Sequence, residues 1–333
     1  MVEVLKEVSK HMPIKSHITF MTAALLLVSC KAAITDSEPE DTTPKVHLSI
    51  EAVGVETSKA VVNGNAFPDE DECSIGLFLT SESGGIYEGG PYSNMEFVKE
   101  EKSQKWTCST PVVLTDAPGN LYAYYPYSSS VSNLSEVPVQ SSLDGKDYMY
   151  AIPVSGVNAS NSEVTLEMKH ALALICLNLS KGTGYEGGCK MTSVALSGEG
   201  IAATGTMDAS TGNISAEASE FLVSGIEHSF SEGLSENLLV VPAVVSSEKQ
   251  KVKVACTIDG EHKELTFESS KGLIIKQGVR FSVNITVSGT GLKINGISIT
   301  DWNGGSVVET ELVKEGIVIT GADSVQYGGE LEF

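Results

Sequence analysis

The segment Val164 to Leu179 limits the fold more than any other stretch of the chain. It opens in strict alternation, with Val164, Leu166 and Met168 set against Thr165, Glu167 and Lys169, the period of two that marks a half-buried strand. From Ala171 to Leu177 both faces are apolar, as expected of a strand covered on both sides. Read as one strand, the segment runs through the densest packing of a sheet. His170 stands at the changeover and reads as a core histidine hydrogen-bonded to backbone. No second ligand lies at a useful spacing for metal, and no cofactor is expected.

No long run carries the period of 3.6 that a helix requires, whereas short apolar or alternating runs recur between turn residues. In the first half these are Val46–Val55, Ser74–Thr80, Val112–Leu114 and Leu121–Tyr127, punctuated by Asn63-Gly64-Asn65 and Ser83-Gly84-Gly85. In the second half they are Thr192–Leu196, Leu238–Val245, Val252–Ile258, Glu264–Phe267, Arg280–Val287 and Leu292–Ile299, with a further candidate at Gly316–Thr320. The expected class is all-β. About 300 residues after the signal suggest two domains. The polar stretch Pro153–Ser162 supplies a boundary, giving one domain over 46–160 and a second over 161–333 with a C-terminal tail. The distance from Val46 to Ser74 resembles that from Val164 to Thr192, which fits two related sandwiches in tandem.

The N-terminal residues carry an address. Lys15 precedes an apolar core from Ile18 to Val28, too short to span a bilayer and sized like a signal-peptide core. Residues before Met12 read as an upstream extension. Leu27-Val28-Ser29-Cys30 is a lipid-attachment signal, so 1–29 is expected to be a lipoprotein signal peptide and Cys30 the lipidated residue. A flexible acidic tether follows over 30–45. Next comes a leader strand within 46–59, in which Val46, Leu48, Ile50 and Ala52 alternate with polar residues. Thr57-Ser58-Lys59-Ala60 is a candidate processing site, cut between Lys59 and Ala60.

With a formal net charge of −21, the chain repels nucleic acid and anionic lipid, so membrane contact is expected through the lipid alone. After the anchor, Cys73, Cys108, Cys176, Cys189 and Cys256 form no Cys-x-x-Cys pair. Cys176 and Cys256 read as small core residues, and a bridge from Cys73 to Cys108 or Cys189 rests only on compartment.

Chemistry is hard to find. There is no Gly-x-Ser-x-Gly elbow, His-Glu-x-x-His pair or phosphate-cradling loop. Ser246-x-x-Lys249 lies in a polar turn without a partner motif. Asp69-Glu70-Asp71-Glu72 lacks the spaced ligands of a calcium loop and reads as a solvated turn. The tyrosines from Tyr122 to Tyr127 either fill a core or, if exposed, could stack on sugars. No enzymatic activity is expected.

Several segments in order resemble a fimbrillin-type (Mfa-like) pilus subunit of Bacteroidetes. They are the signal at Cys30, Thr57-Ser58-Lys59-Ala60, Ser74-Ile75-Gly76-Leu77-Phe78 and Tyr122-Ala123-Tyr124-Tyr125-Pro126-Tyr127. They continue with Asp147-Tyr148-Met149-Tyr150-Ala151, Leu166 to Ala173 and Ile299-Thr300-Asp301-Trp302. The resemblance implies two tandem transthyretin-like (Greek-key) β-sandwiches, export to the outer membrane as a lipoprotein, leader cleavage, and polymerisation with other pilus subunits by strand donation. In that scheme Val46, Leu48, Ile50 and Ala52 plug a groove until the leader is cut away. A host or bacterial surface ligand is a further expected partner. The family's cleavage site usually carries Arg; here it is Lys59, and Arg280 is the chain's only arginine. An alternative reading is a monomeric surface lipoprotein that binds glycan or another ligand.

Overall fold

The computed structural model describes residues 45–55, 73–100, 105–244, 250–269, 275–289, 291–302 and 317–321. The chain divides into residues 1–44 and a compact unit over 45–333, and the fold is that of the second. Its described secondary structure is all strand, as the absence of helical periodicity leads one to expect.

In chain order the strands are β1 (Val46–His47), β2 (Ser49–Val55), β3 (Ser74–Ser81), β4 (Tyr92–Lys99), β5 (Trp106–Cys108) and β6 (Val113–Leu114). They continue with β7 (Gly119–Tyr125), β8 (Val137–Gln140), β9 (Ser142–Leu143), β10 (Met149–Ala151), β11 (Val154–Val157) and β12 (Glu163–His170). The second half holds β13 (Ala173–Lys181), β14 (Lys190–Gly198), β15 (Ile201–Ala202), β16 (Thr204–Met207), β17 (Ile214–Ser215) and β18 (Phe221–Ser229). It ends with β19 (Leu234–Pro242), β20 (Gln250–Ile258), β21 (Glu261–Ser269), β22 (Val279–Ser288), β23 (Gly291–Asp301) and β24 (Ile317–Gly321).

The first half builds a sheet in the order β10-β12-β2-β5-β4-β3-β7-β11, and β10 also pairs with β7. The hydrogen-bonded path therefore closes on itself, with β11 as a side branch. Inside lie Leu48, Ile50, Ile75, Leu77, Phe97, Trp106, Leu121, Met149, Leu166 and Met168. This closed path stands where a β-sandwich is expected for the first half.

The second half is a true sandwich. One sheet runs β15-β19-β13-β22-β23 and the other β18-β14-β20-β21-β24. Between them pack Ile175, Leu177, Val194, Leu196, Val254, Cys256, Phe267, Phe281 and Val283, the inward sets of strands that alternate as period two requires. In β22 the alternation is unbroken, with Val279, Phe281, Val283, Ile285 and Val287 all buried. β20 and β21 are joined by the two-residue turn Asp259-Gly260, both with positive φ (52° and 81°), the backbone that suits a tight hairpin and that Gly adopts freely.

Val164–Leu179 is two strands, not one. β12 pairs with β10 and, in parallel, with β2 of the first sheet. β13 begins three residues after His170 and pairs with β19 and β22 of the second. The apolar run on both faces has a local cause. Ala173, Ile175, Leu177 and Leu179 point into the sandwich. Leu174 and Cys176 point into a third cluster that also takes Phe78, Tyr124, Val137 and Val139 from the first half. Strand pairing thus changes over between His170 and Ala173, past the stretch Pro153–Ser162. The matched spacings from Val46 and Val164 have no counterpart in two sandwiches, because β2 and β12 are neighbours in one sheet.

Candidate functional site

The leader strand is held differently on its two sides. β1 pairs with β6, Val46 opposite Leu114, and the Leu48 N–H donates to Val112 O at 2.9 Å. β2 then runs parallel to β12, from Ser49 opposite Glu163 to Val55 opposite Met168. On its other side it meets β5 at a single residue pair, Ile50 with Trp106. One side of β2 is thus held by a ladder and the other by one residue pair, while β1 is held by β6. Leu48 and Ile50 are buried beside Trp106, Val164 and Leu166. Burial of each contributes roughly 1.5–3 kcal/mol.

The register shifts between Val164 and Thr165, which face Ile50 and Ala52. This bulge carries Glu51 past the ladder and reverses the alternation beyond it. Ala52 is therefore exposed rather than inward, and Val53 and Val55 pack against the core instead. Val46 is half-buried. The apolar contacts of the leader come from Leu48, Ile50, Val53 and Val55. Strict alternation concealed the last two; the only signal for them was the pair of valines around Gly54. Cys30, Lys59 and Ala60 lie outside the described residues, as do Asp69–Glu72, Ser246 and Lys249.

At the changeover His170 is buried, as expected, and one of its partners is a side chain. Its Nδ1 is paired with Oδ2 of the buried Asp147, whose Oδ1 accepts the Tyr148 N–H at 2.7 Å. The imidazole also stacks on Trp302, ring centroids 3.7 Å apart and 8° from parallel. Asp147 lies on a loop 23 residues away, beyond any local spacing rule. Among the described residues no group of three or more His, Cys, Asp or Glu is arranged to hold a metal.

Tyr124 and Tyr125 are buried on opposite faces of β7, in the third and first clusters respectively. The Tyr124 hydroxyl donates to Asn94 Oδ1 at 2.6 Å, and burial pushes its pKa up to about 12. Tyr122 and Tyr127 are half-buried. All five described cysteines are free thiols, so neither bridge from Cys73 is formed, and burial pushes Cys256 up to about 12. Asp259, in the β20–β21 turn, accepts from the Tyr185 hydroxyl at 2.7 Å and from the Cys189 and Lys190 N–H groups at 2.9 and 3.0 Å. Partial desolvation pushes this carboxyl up, but those bonds outweigh it and hold the pKa below its ordinary value.

With this geometry in view, the comparisons are specific. The fimbrillin-like family model matches residues 59–302, most of the chain, and the protein belongs to that family. Among solved structures, one from Bacteroides ovatus, named for a proposed role in cell adhesion, has a TM-score of 0.58 at 18% identity. It is covered over 99% of its length and covers 78% of this chain. A second, from Bacteroides uniformis and named likewise, has a TM-score of 0.55 at 17% identity with the same coverage, 78% and 99%. At such identities the likeness is one of fold. No curated protein matches. The matched residues begin at 59, after β1 and β2, so the strand inserted between β12 and β5 precedes the part matched to the family.

Proposed function

We propose that the protein is a structural, non-enzymatic subunit of a cell-surface fimbria, made as a lipoprotein and assembled with other subunits by strand exchange. One observation carries the reading: β2 completes the first sheet from outside the matched residues. Removing it would open the ring between β12 and β5. It would also bare the β12 edge from Val164 to Met168 and uncover the places of Leu48, Ile50, Val53 and Val55. A neighbour's extended strand would restore both the ladder and the apolar contacts, the ladder giving affinity and the alternating side chains specificity. In this scheme Cys30 holds the precursor at the outer membrane. A cut between Lys59 and Ala60 then frees the leader strand from the sheet that follows it. Burial of Tyr124 and Tyr125 places those two rings in the core, out of reach of a glycan, while Tyr122 and Tyr127 are half-buried.

The test is cleavage. Protein cut after Lys59 by a Lys-directed protease should form ladders that resist SDS, whereas Lys59→Ala should remain a lipid-bound monomer. Polymers formed as readily by Lys59→Ala would reduce the leader to a tether.

A further inference from the structure

The parallel ladder of β2 with β12 holds one irregularity. Ile50 faces Val164 and Ala52 faces Thr165, so Glu51 is an extra residue on the β2 side. Bulges belong mainly to antiparallel pairs, and one here leaves a residue unpaired and bends the strand that carries it. The grip on the leader slackens where the bulge falls. Pairing with β5 is confined to Ile50, the residue just before it. Leu48 and Ile50, ahead of the bulge, are buried, whereas Val53 and Val55, past it, are only half-buried. The strand they face is regular: Val164, Leu166 and Met168 are buried in unbroken alternation along β12. A strand rising in step with β12 would present an apolar side chain at every second residue. The leader, with Leu48, Ile50, Val53 and Val55, does not.

Resting on strand exchange as the mode of assembly, we propose that the bulge makes the leader the weaker occupant of its slot. The slot between β12 and β5 fits a neighbour's strand whose apolar side chains alternate strictly. The register of that strand is the one already in place: its inward side chains meet Val164, Leu166 and Met168, as Ile50, Val53 and Val55 do now. The difference in fit gives the exchange its direction, since a cut frees the leader without favouring its replacement. Deleting Glu51 turns the leader itself into such a strand. Leu48, Ile50, Val53 and Val55 then fall at every second position, and every residue pair of the ladder keeps its partner.

The first measurement needs no cleavage. In the intact full-length chain, amide exchange over residues 49–55 should be roughly two- to tenfold slower in the Glu51 deletion than in the wild type, the effect of about one regained backbone hydrogen bond. Glu51→Ala, which keeps the extra residue, should exchange like the wild type. After cleavage at Lys59, the deletion variant should form ladders more slowly than the wild type. A further measurement uses wild-type protein alone and so does not depend on the folding of a variant. A peptide of residues 45–55 lacking Glu51 should block ladder formation by cut protein at a roughly two- to tenfold lower concentration than the same peptide with Glu51. Exchange no slower in the deletion variant, ladders formed by it at the wild-type rate, or two peptides of equal potency overturn the proposal. Cut wild type that forms no ladders overturns strand exchange instead, and exchange in the intact chains still decides whether the bulge weakens the leader.

Discussion

Asp147 and His170 are both buried and paired with each other, and the His170 ring stacks on Trp302, so the cost of removing one falls on the others. His170→Ala should lower stability by about 1–3 kcal/mol, because the Asp147 carboxylate loses a buried partner. In a double-mutant cycle by urea unfolding, the Asp147→Ala and His170→Ala losses should be clearly non-additive; simple additivity would mean that the pair is not coupled. Asp259 gives a prediction in pH. Its pKa is lower in the folded state than in the unfolded chain, so the unfolded state binds the proton first on acidification. The stability it adds is complete above the ordinary carboxylate range and is lost as pH falls through that range to the lowered value. Asp259→Asn should therefore lose less stability than the wild type over that acid window; parallel curves would assign the effect elsewhere. At this scale the sequence exposed His170 as a core residue through its place in an alternating run. Its partners were hidden because they arrive from residues 147 and 302, and no period links such distances.

Strands whose two faces differ in polarity were legible, and β3, β7, β14, β19, β20, β21, β22 and β23 fall where alternation or apolar runs place them. β4 was missed. Its burial is irregular, with Tyr92 and Phe97 buried but Met95 only half so, and such a strand offers no period to count. The short β15 and β16 are held by the distant β19 and β8, β17 only by the neighbouring β16, and all three carry too few residues to declare themselves. The leader strand failed in a more instructive way, since a single bulge exchanges the two faces and every residue beyond it changes sides. This has a direct test. Ala52→Lys should change stability by no more than about 0.5 kcal/mol, as an exposed substitution does. Ile50→Ala should cost about 2–5 kcal/mol, and Val53→Lys should be clearly more harmful than Ala52→Lys. Thermal or urea unfolding of the three variants decides it; equal costs at 52 and 53 would remove the bulge from the account.

For the whole molecule, the all-β class and the second sandwich follow from local pattern, but the closure of the first sheet does not. Closure depends on β10, three residues long, bridging β12 and β7, and on β2 entering from the N-terminal side. Both are long-range pairings fixed by what fills the interior. The central claim is that β2 leaves the first sheet when its connection is cut and a neighbour's strand takes its place. Ser49 and Glu163 are exposed and directly opposite each other in the β2–β12 ladder, so Ser49→Cys/Glu163→Cys can lock the leader in position. The measurement is polymer formation by this variant after cleavage at Lys59, oxidised and then reduced. The account predicts no polymer while the lock is closed and SDS-resistant ladders once it is reduced. Polymers that form equally well with the lock closed would contradict it.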